Sequence, residues 1–131
     1  MNEFRLVESG RMGRVAYARI APNEDLVLGI EKLCLAQGFN NAFVRGALGS
    51  LIDAGLEAND GSVVEIKGPA VEIVSLAGEV RSDENGTPCA MLTGVVADPE
   101  GKVYGGPFVL GMNPICVTFE VTLEEWLPDT E

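Results

Sequence analysis

Histidine is absent from this sequence of 131 residues. Its absence removes the side chain that most often serves as a general base and as a zinc ligand in proteins. Basic residues are also scarce, with 9 Lys and Arg against 20 Asp and Glu and a formal net charge of −11. Because nucleic acids and anionic membranes bind positive surfaces, this balance disfavours both as direct partners.

Cysteine is rare as well, and Cys34, Cys89 and Cys116 include no CxxC pair. An odd, widely spaced set argues against a zinc site or a disulfide framework and favours reduced thiols that pack as small apolar residues. Long apolar runs are also lacking, since no stretch approaches the ~20 residues of a membrane helix. Residues 1–5 lack the basic-then-apolar order of a signal peptide. The sequence therefore predicts a cytoplasmic protein.

What the chain has is the composition of a globular protein, with 47% hydrophobic and 22% charged residues. A chain of this length buries roughly two-thirds of its unfolded surface, enough to fold without disulfides or metal. We therefore expect one domain over residues 1–131.

One main helix is predicted over residues 24–37. Asn23 is a suitable N-cap, Glu24 and Asp25 favour the positive end of the helix dipole, and Gly38 is suited to end the helix in the left-handed conformation. The apolar residues between these signals have helical spacing: Leu26, Ile30, Leu33 and Cys34.

The rest of the chain predicts about seven or eight strands, which makes the fold α+β with a mostly antiparallel sheet. Residues 4–9 and 14–21 are expected to pair around a turn at Gly10–Gly13. In residues 115–123 the odd positions are apolar and the even positions more polar, so the odd positions should be buried. The other expected strands lie within 42–58, 62–67, 70–80, 88–97 and 102–110.

Glu72 and Glu120 each interrupt an apolar strand. A buried carboxylate is costly unless it is paired, so such positions need a reason. One interpretation is a general acid/base or a ligand contact. The other is an ion pair with Arg45 or another base, or a place on the solvated face of the strand.

Glycine and hydroxyl residues offer weaker signals. The segment Gly46–Gly49 has the GxxG spacing but lacks the lysine of a phosphate loop, so we expect a backbone bend there. Gly105 and Gly106 either allow close approach by a ligand or another subunit, or form a bulge. Thr93, like the serines, has no histidine to activate it, so nucleophilic catalysis is not expected.

The first twenty residues carry four arginines, whereas the C-terminal end is acidic. Three interpretations remain open for this basic start: a phosphate-binding patch, a solvated hairpin, or a partner for the acidic tail of a neighbouring subunit.

The order of several motifs resembles the plants-and-prokaryotes-conserved (PPC) domain over residues 5–125. The resemblance implies a single α+β domain that assembles as a homotrimer. In plants this domain stands beside AT-hook DNA-binding motifs. The similarity rests on these segments: Gly46-Ala-Leu-Gly-Ser50, Val71-Glu-Ile-Val-Ser-Leu-Ala-Gly78, Asp98-Pro-Glu-Gly101, Val103-Tyr-Gly-Gly106 and Val117-Thr-Phe-Glu-Val121.

The family's metal motifs are not preserved here. Many prokaryotic members have His-x-His, which reads Met91-Leu92-Thr93, and Gly-Gly-His, which reads Gly105-Gly106-Pro107. We therefore predict no metal and no cofactor. The partner-contact motif of plant members, Gly-Arg-Phe-Glu-Ile-Leu, reads Pro69–Val74 without its arginine and phenylalanine, and no AT-hook is present.

The resulting hypothesis is a non-catalytic homotrimeric binding or interaction module, whose partners are its own copies and a small molecule or protein. One alternative, by family analogy, is a DNA-associated regulator. Another is a small-molecule enzyme that uses a strand carboxylate with Arg45. Six residues are the candidates for a shared cleft: Arg45, Glu72, Thr93, Gly105, Gly106 and Glu120.

Overall fold

A computed structural model describes residues 3–129. These residues form one helix and eight strands. In chain order these are β1 (Gly10–Ile20), α1 (Leu26–Gln37), β2 (Asn41–Leu51), β3 (Ala54–Glu57), β4 (Val63–Ile66), β5 (Val71–Ser82), β6 (Pro88–Ala97), β7 (Val103–Pro107) and β8 (Ile115–Pro128).

Six of the strands form one sheet in the order β1-β8-β2-β5-β6-β7, while β3 and β4 form a separate hairpin. Every pairing is antiparallel. The α+β class, the antiparallel sheet and the single helix are thus confirmed. β1 and β8 pair along most of their lengths, so the first and last strands lie side by side.

The core lies between α1 and one face of the large sheet. Gly29 lets the helix approach β1, because a Cβ there would lie 2.8 Å from Ile20 Cγ2. Burial of apolar surface is the main force that holds these layers together. The largest buried side chains come from the helix, from Phe39 just after its C-cap, from β3 and from the central strands: Leu26, Ile30, Phe39, Leu51, Leu56, Ile115, Phe119 and Leu123.

The helix begins two residues later than predicted, and its N-cap is Asp25 rather than Asn23. Asp25 Oδ2 accepts a hydrogen bond from the Leu28 amide at 3.0 Å, and its Oδ1 accepts one from the Asn113 amide at 2.9 Å. Asn23 instead has φ 73° in the preceding turn. Gly38 ends the helix in the left-handed conformation, as predicted.

The hairpin predicted around Gly10–Gly13 is wrong. Residues 4–9 form no strand, and Gly10–Ile20 is a single strand with an irregularity between Met12 and Val15. The two glycines allow close contact between β1 and β8 and do not form a turn. A Cβ on Gly10 would overlap Leu127 O, and one on Gly13 would lie 2.6 Å from Glu125 Oε1.

The alternation predicted for residues 115–123 is correct except at Val117, which is 73% exposed. The pairing of β8 with β2 shifts between Gly49 and Leu51, opposite this part of β8, so the simple two-residue period fails there. β8 also continues past the predicted end to Pro128.

The helix α1 spans 12 residues, and no helix within residues 3–129 is long and apolar enough to cross a membrane.

Candidate functional site

The large sheet has one face toward the core and one face away from it, which we call the open face. Residues directly opposite each other on paired strands share a face. Glu120 is opposite Arg19 on one side and Leu48 on the other, and Met91 is opposite Glu79. Five large apolar side chains on the open face are more than half exposed: Val15, Tyr17, Leu48, Met91 and Val103.

The sequence-predicted site residues are distributed along this face. Glu120 lies on β8, Arg45 on β2, Glu72 on β5, Thr93 on β6 and Gly105 on β7. Glu120 and Thr93 are three strand spacings apart, which is ~14 Å at ~4.8 Å per spacing. One chain alone therefore does not gather these residues into a single cleft.

Gly106 lies on the opposite face from the other candidates. It pairs with Gly94, and a Cβ on Gly106 would lie 2.9 Å from Glu57 O. Its φ is 156°, which disfavours side chains larger than hydrogen. Gly106 thus allows β7 to approach β3 inside this chain.

Glu120 is held by two donors from β1. Tyr17 Oη donates to Glu120 Oε1 at 2.6 Å, and Arg19 Nε donates to Glu120 Oε2 at 2.9 Å. These hydrogen bonds lower the pKa of Glu120 from its usual value, first through Tyr17 and then through Arg19. Of the two structural alternatives, the ion pair applies, with Arg19 rather than Arg45.

A shallow hollow of about 140 Å³ lies beside this carboxylate. Glycine at position 46 leaves it open, since nothing lies within 4 Å of the place where a Cβ would be. Glu120 is the one member of the predicted cleft that lines it. The lining residues are Tyr17, Gly46, Ala47, Leu48, Glu120 and Thr122.

Glu72 and Arg45 have different surroundings from Glu120. Glu72 is exposed, so it carries no burial cost that needs a function to explain it. Arg45 Nε lies 3.3 Å from Glu124 Oε1 on the neighbouring strand.

The basic start of the chain pairs with acidic residues of its own C-terminal strand. Arg14 Nε lies 3.0 Å from Glu125 Oε1, and Arg19 Nη2 lies 2.6 Å from Glu120 Oε2. Strand pairing of β1 with β8 brings these groups together. Two of the four N-terminal arginines are therefore partly neutralised within one chain.

Glu125 is a buried carboxylate that the sequence analysis missed. Only 8% of the residue is exposed, and it accepts hydrogen bonds from the Arg14 backbone and from two nitrogens of its guanidinium. The signal was present, because position 125 continues the odd-numbered buried face of β8. Arg14 lowers the pKa of Glu125, chiefly through the side-chain hydrogen bonds.

A second and larger hollow, of about 370 Å³, lies at the end of the open face and was also missed. The phenyl ring of Phe43 and the indole of Trp126 lie with centroids 5.7 Å apart and planes at 54°. Val7 and Glu8, which precede β1, line one side of this hollow, and no local sequence pattern predicts that contact. We call it the aromatic hollow, and it is lined by Val7, Glu8, Phe43, Glu79, Arg81 and Trp126.

The thiols and the acidic residues show no arrangement for metal chemistry within residues 3–129, where no group of three or more potential ligands is close enough to hold an ion. Burial raises the pKa of the Cys34 thiol to about 11, so this cysteine is inert at neutral pH. The absence of bound metal stays a prediction, which elemental analysis would test.

The strand order, the single helix and the open sheet face define a small α+β domain. The family model of the Plants and Prokaryotes Conserved (PCC) domain, the PPC domain named above, matches residues 7–127. The chain therefore belongs to this family, which confirms the resemblance found in the sequence.

Among curated proteins, the bifunctional protein GlmU of Synechococcus sp. (strain JA-3-3Ab) is 30% identical over 117 residues. That match covers 89% of this chain and 17% of GlmU, so the chain spans less than a fifth of that relative.

Three solved structures share the fold. A plant- and prokaryote-conserved protein from Pyrococcus horikoshii has a TM-score of 0.80 and 24% identity, over 96% of this chain and 87% of that one. A metal-containing protein from Archaeoglobus fulgidus has a TM-score of 0.75 and 23% identity, over 96% and 89%. A suggested DNA-binding protein from Bacteroides thetaiotaomicron has a TM-score of 0.71 and 15% identity, over 89% and 83%. At such identities these likenesses concern the fold alone.

Proposed function

We propose that this chain is a non-catalytic binding module that works as a homotrimer through its open face. The observation that carries the proposal is the exposure of Val15, Tyr17, Leu48, Met91 and Val103 on one face of the sheet. A sheet with one apolar face toward the core and a second apolar face toward water is stabilised by covering the second face. Copies of the same chain are the occupants that the family resemblance implies.

Electrostatics supports a symmetric association through this face. The open face carries ion pairs between Arg19 and Glu120 and between Arg45 and Glu124, so these four charges are balanced locally. Two copies that meet there bring together apolar and paired groups rather than bare like charges. Glu120 and Thr93, which one chain keeps apart, would each meet residues from a second copy.

The carboxylates argue for binding rather than catalysis. Glu120, the buried-strand candidate, already accepts hydrogen bonds from Tyr17 and Arg19, which favour its charged form. A general acid at neutral pH needs the opposite shift of its pKa. We therefore assign Glu120 a structural and ligand-contact role in the shallow hollow that it lines with Tyr17.

Light scattering coupled to gel filtration tests the assembly. We expect a mass of about 42 kDa, three times the 13.9 kDa of one chain. Leu48→Glu places a charge on the open face and should yield a folded protein of lower mass. Leu35→Glu is the matched control, because Leu35 lies on α1 and is 64% exposed, compared with 55% for Leu48. A wild-type monomer at micromolar concentration would refute the trimer.

A further inference from the structure

The aromatic hollow combines ring surface with uncompensated negative charge. Arg81 Nη2 lies 2.8 Å from Glu8 Oε1 and 3.1 Å from Glu79 Oε2. Trp126 Nε1 also donates to Glu8 Oε1, at 3.0 Å. Two carboxylates face one guanidinium, so the hollow keeps one net negative charge.

Each carboxylate also has an oxygen to spare. Within residues 3–129, the hydrogen bonds and ion pairs of the hollow use Glu8 Oε1 and Glu79 Oε2 and leave Glu8 Oε2 and Glu79 Oε1 without a donor. A carboxylate oxygen accepts up to two hydrogen bonds, so both can take a further donor or a positive charge.

The rings of Phe43 and Trp126 add a second attraction for cations beside the two carboxylates. Aromatic faces attract cations through their quadrupole, and indole does so most strongly. Phe43 already illustrates this, because the guanidinium carbon of Arg81 lies 5.6 Å from its ring centroid. The planes of Phe43 and Trp126 meet at 54° rather than lying parallel, and both rings line the hollow.

From these features we propose that the aromatic hollow binds a small organic cation with an ammonium or quaternary ammonium head. At about 370 Å³ the hollow falls within the roughly 300–1,000 Å³ range of small-molecule pockets, which is room for such a molecule. The net charge of −11 attracts cations at long range. The proposal names a ligand class for the binding module described above and rests on that binding role.

Fluorescence titration with choline chloride tests the site directly. Trp126 is the single tryptophan of the chain, so any saturable change in indole emission reports on this hollow. The neutral carbon isostere of choline has the same shape without the charge. We expect choline to bind at least about tenfold more tightly than the isostere, a preference of the size that cation–π and carboxylate contacts supply together.

Two variants on one strand provide the matched comparison. Glu79→Gln removes a charge from the hollow and should weaken choline binding at least about threefold, in line with the loss of one partly exposed charge contact. Glu72→Gln removes an equal charge from the same strand β5, outside the lining, and should leave affinity unchanged. Glu8→Gln, on the 3–9 segment, should repeat the effect of Glu79→Gln.

Equal affinity for choline and its isostere, or equal loss in the Glu72 and Glu79 variants, would overturn the cation site. No saturable change in emission up to millimolar choline would overturn it as well. Light scattering on the same samples separates this failure from failure of the trimer, since mass and ligand affinity are read independently.

Discussion

At the scale of single residues, Glu125 shows how one side chain joins the first and last strands. Gly13 leaves the space that its carboxylate fills, and Arg14 supplies both a backbone and a side-chain donor. The pKa of Glu125 is lowered in the folded protein, so the unfolded chain binds more protons in acid. The stability from this contact is therefore present above the unfolded pKa, near 4.3, and is lost as pH falls through the folded value.

We predict that Glu125→Gln lowers the urea midpoint at neutral pH and flattens its dependence on pH below about 5, where the ordinary glutamate titration begins. The neutral amide keeps the shape of the side chain but removes the charge that Arg14 faces. Unfolding curves followed by circular dichroism between neutral and acidic pH measure the effect.

The control is Glu100→Gln, which alters an exposed carboxyl in the turn before β7. It should leave both the midpoint and its pH dependence near those of the wild type. If Glu125→Gln behaves in the same way as Glu100→Gln, the contact with Arg14 does not stabilise the fold.

The sequence predicts the surroundings of a side chain only where nearby residues determine them. Glu72 and Glu120 have the same local pattern, but one is exposed and the other is tied to Tyr17 and Arg19. The difference arises from β1, about a hundred residues away along the chain from β8. A local pattern therefore predicts that a carboxylate needs an explanation, but not which partner provides it.

At the scale of elements, the start of α1 depends on one carboxylate. Asp25 caps the helix through Leu28 and also accepts from the Asn113 amide, which ties the helix to the loop before β8. Asn113 is fully buried and its side chain bonds to Gly55 on β3. Asn113 thus links the start of the helix, the β3–β4 hairpin and the loop before β8.

We predict that Asp25→Ala destabilises the protein by about 1–2 kcal/mol, because it removes the cap and one further hydrogen bond. Asp25→Asn retains an oxygen for one of the two amides and should lose less. Chemical denaturation of both variants measures the difference.

Glu24→Ala serves as the control for the helix cap, since Glu24 is exposed and its ion pair with Lys32 spans 3.5 Å. Exposed pairs of this kind contribute roughly 0–1 kcal/mol. A loss in Glu24→Ala as large as in Asp25→Ala would show that charge near the helix start matters and the cap does not.

The elements that the sequence predicted well are those with local causes. The helix is marked by its own apolar spacing and by Gly38, and both were identified correctly. The turn at Gly10–Gly13 failed because glycine has two uses, tight turns and close contacts, which look the same in a sequence. Leu127 and Glu125 decide between them here, and both lie on β8 at the other end of the chain.

At the scale of the whole molecule, strand order creates the surfaces. Pairing of β1 with β8 is a long-range contact, and the aromatic hollow exists because residues 7 and 8 lie beside Trp126. Sequence patterns fix which side of a strand is apolar but not which strands are neighbours. For that reason the sequence predicts a sheet with a face away from the core, but it does not predict the hollows on that face.

We predict that direct DNA binding is weak and non-specific, with a dissociation constant above ~1 μM at physiological salt. The electrostatic part of DNA affinity comes from Lys and Arg side chains at phosphates, and a nearby carboxylate reduces it. Four arginines here face carboxylates at 4 Å or less: Arg14, Arg19, Arg45 and Arg81. A trimer would carry three times −11, or −33, and repel a polyanion until salt screens the charge beyond ~8 Å.

A mobility-shift titration with competitor DNA measures this affinity. Arg5 and Arg11 have no ion pair within residues 3–129, so they are the basic groups of the N-terminal segment best placed to touch a phosphate backbone. Replacing both with glutamine should abolish the residual binding, whereas Lys67→Gln, directly after β4, should change it little. Binding tighter than ~1 μM that survives competitor would contradict the prediction, because it exceeds ordinary non-specific affinity. It would also make the DNA-associated function, rather than the binding module, the better account of this chain.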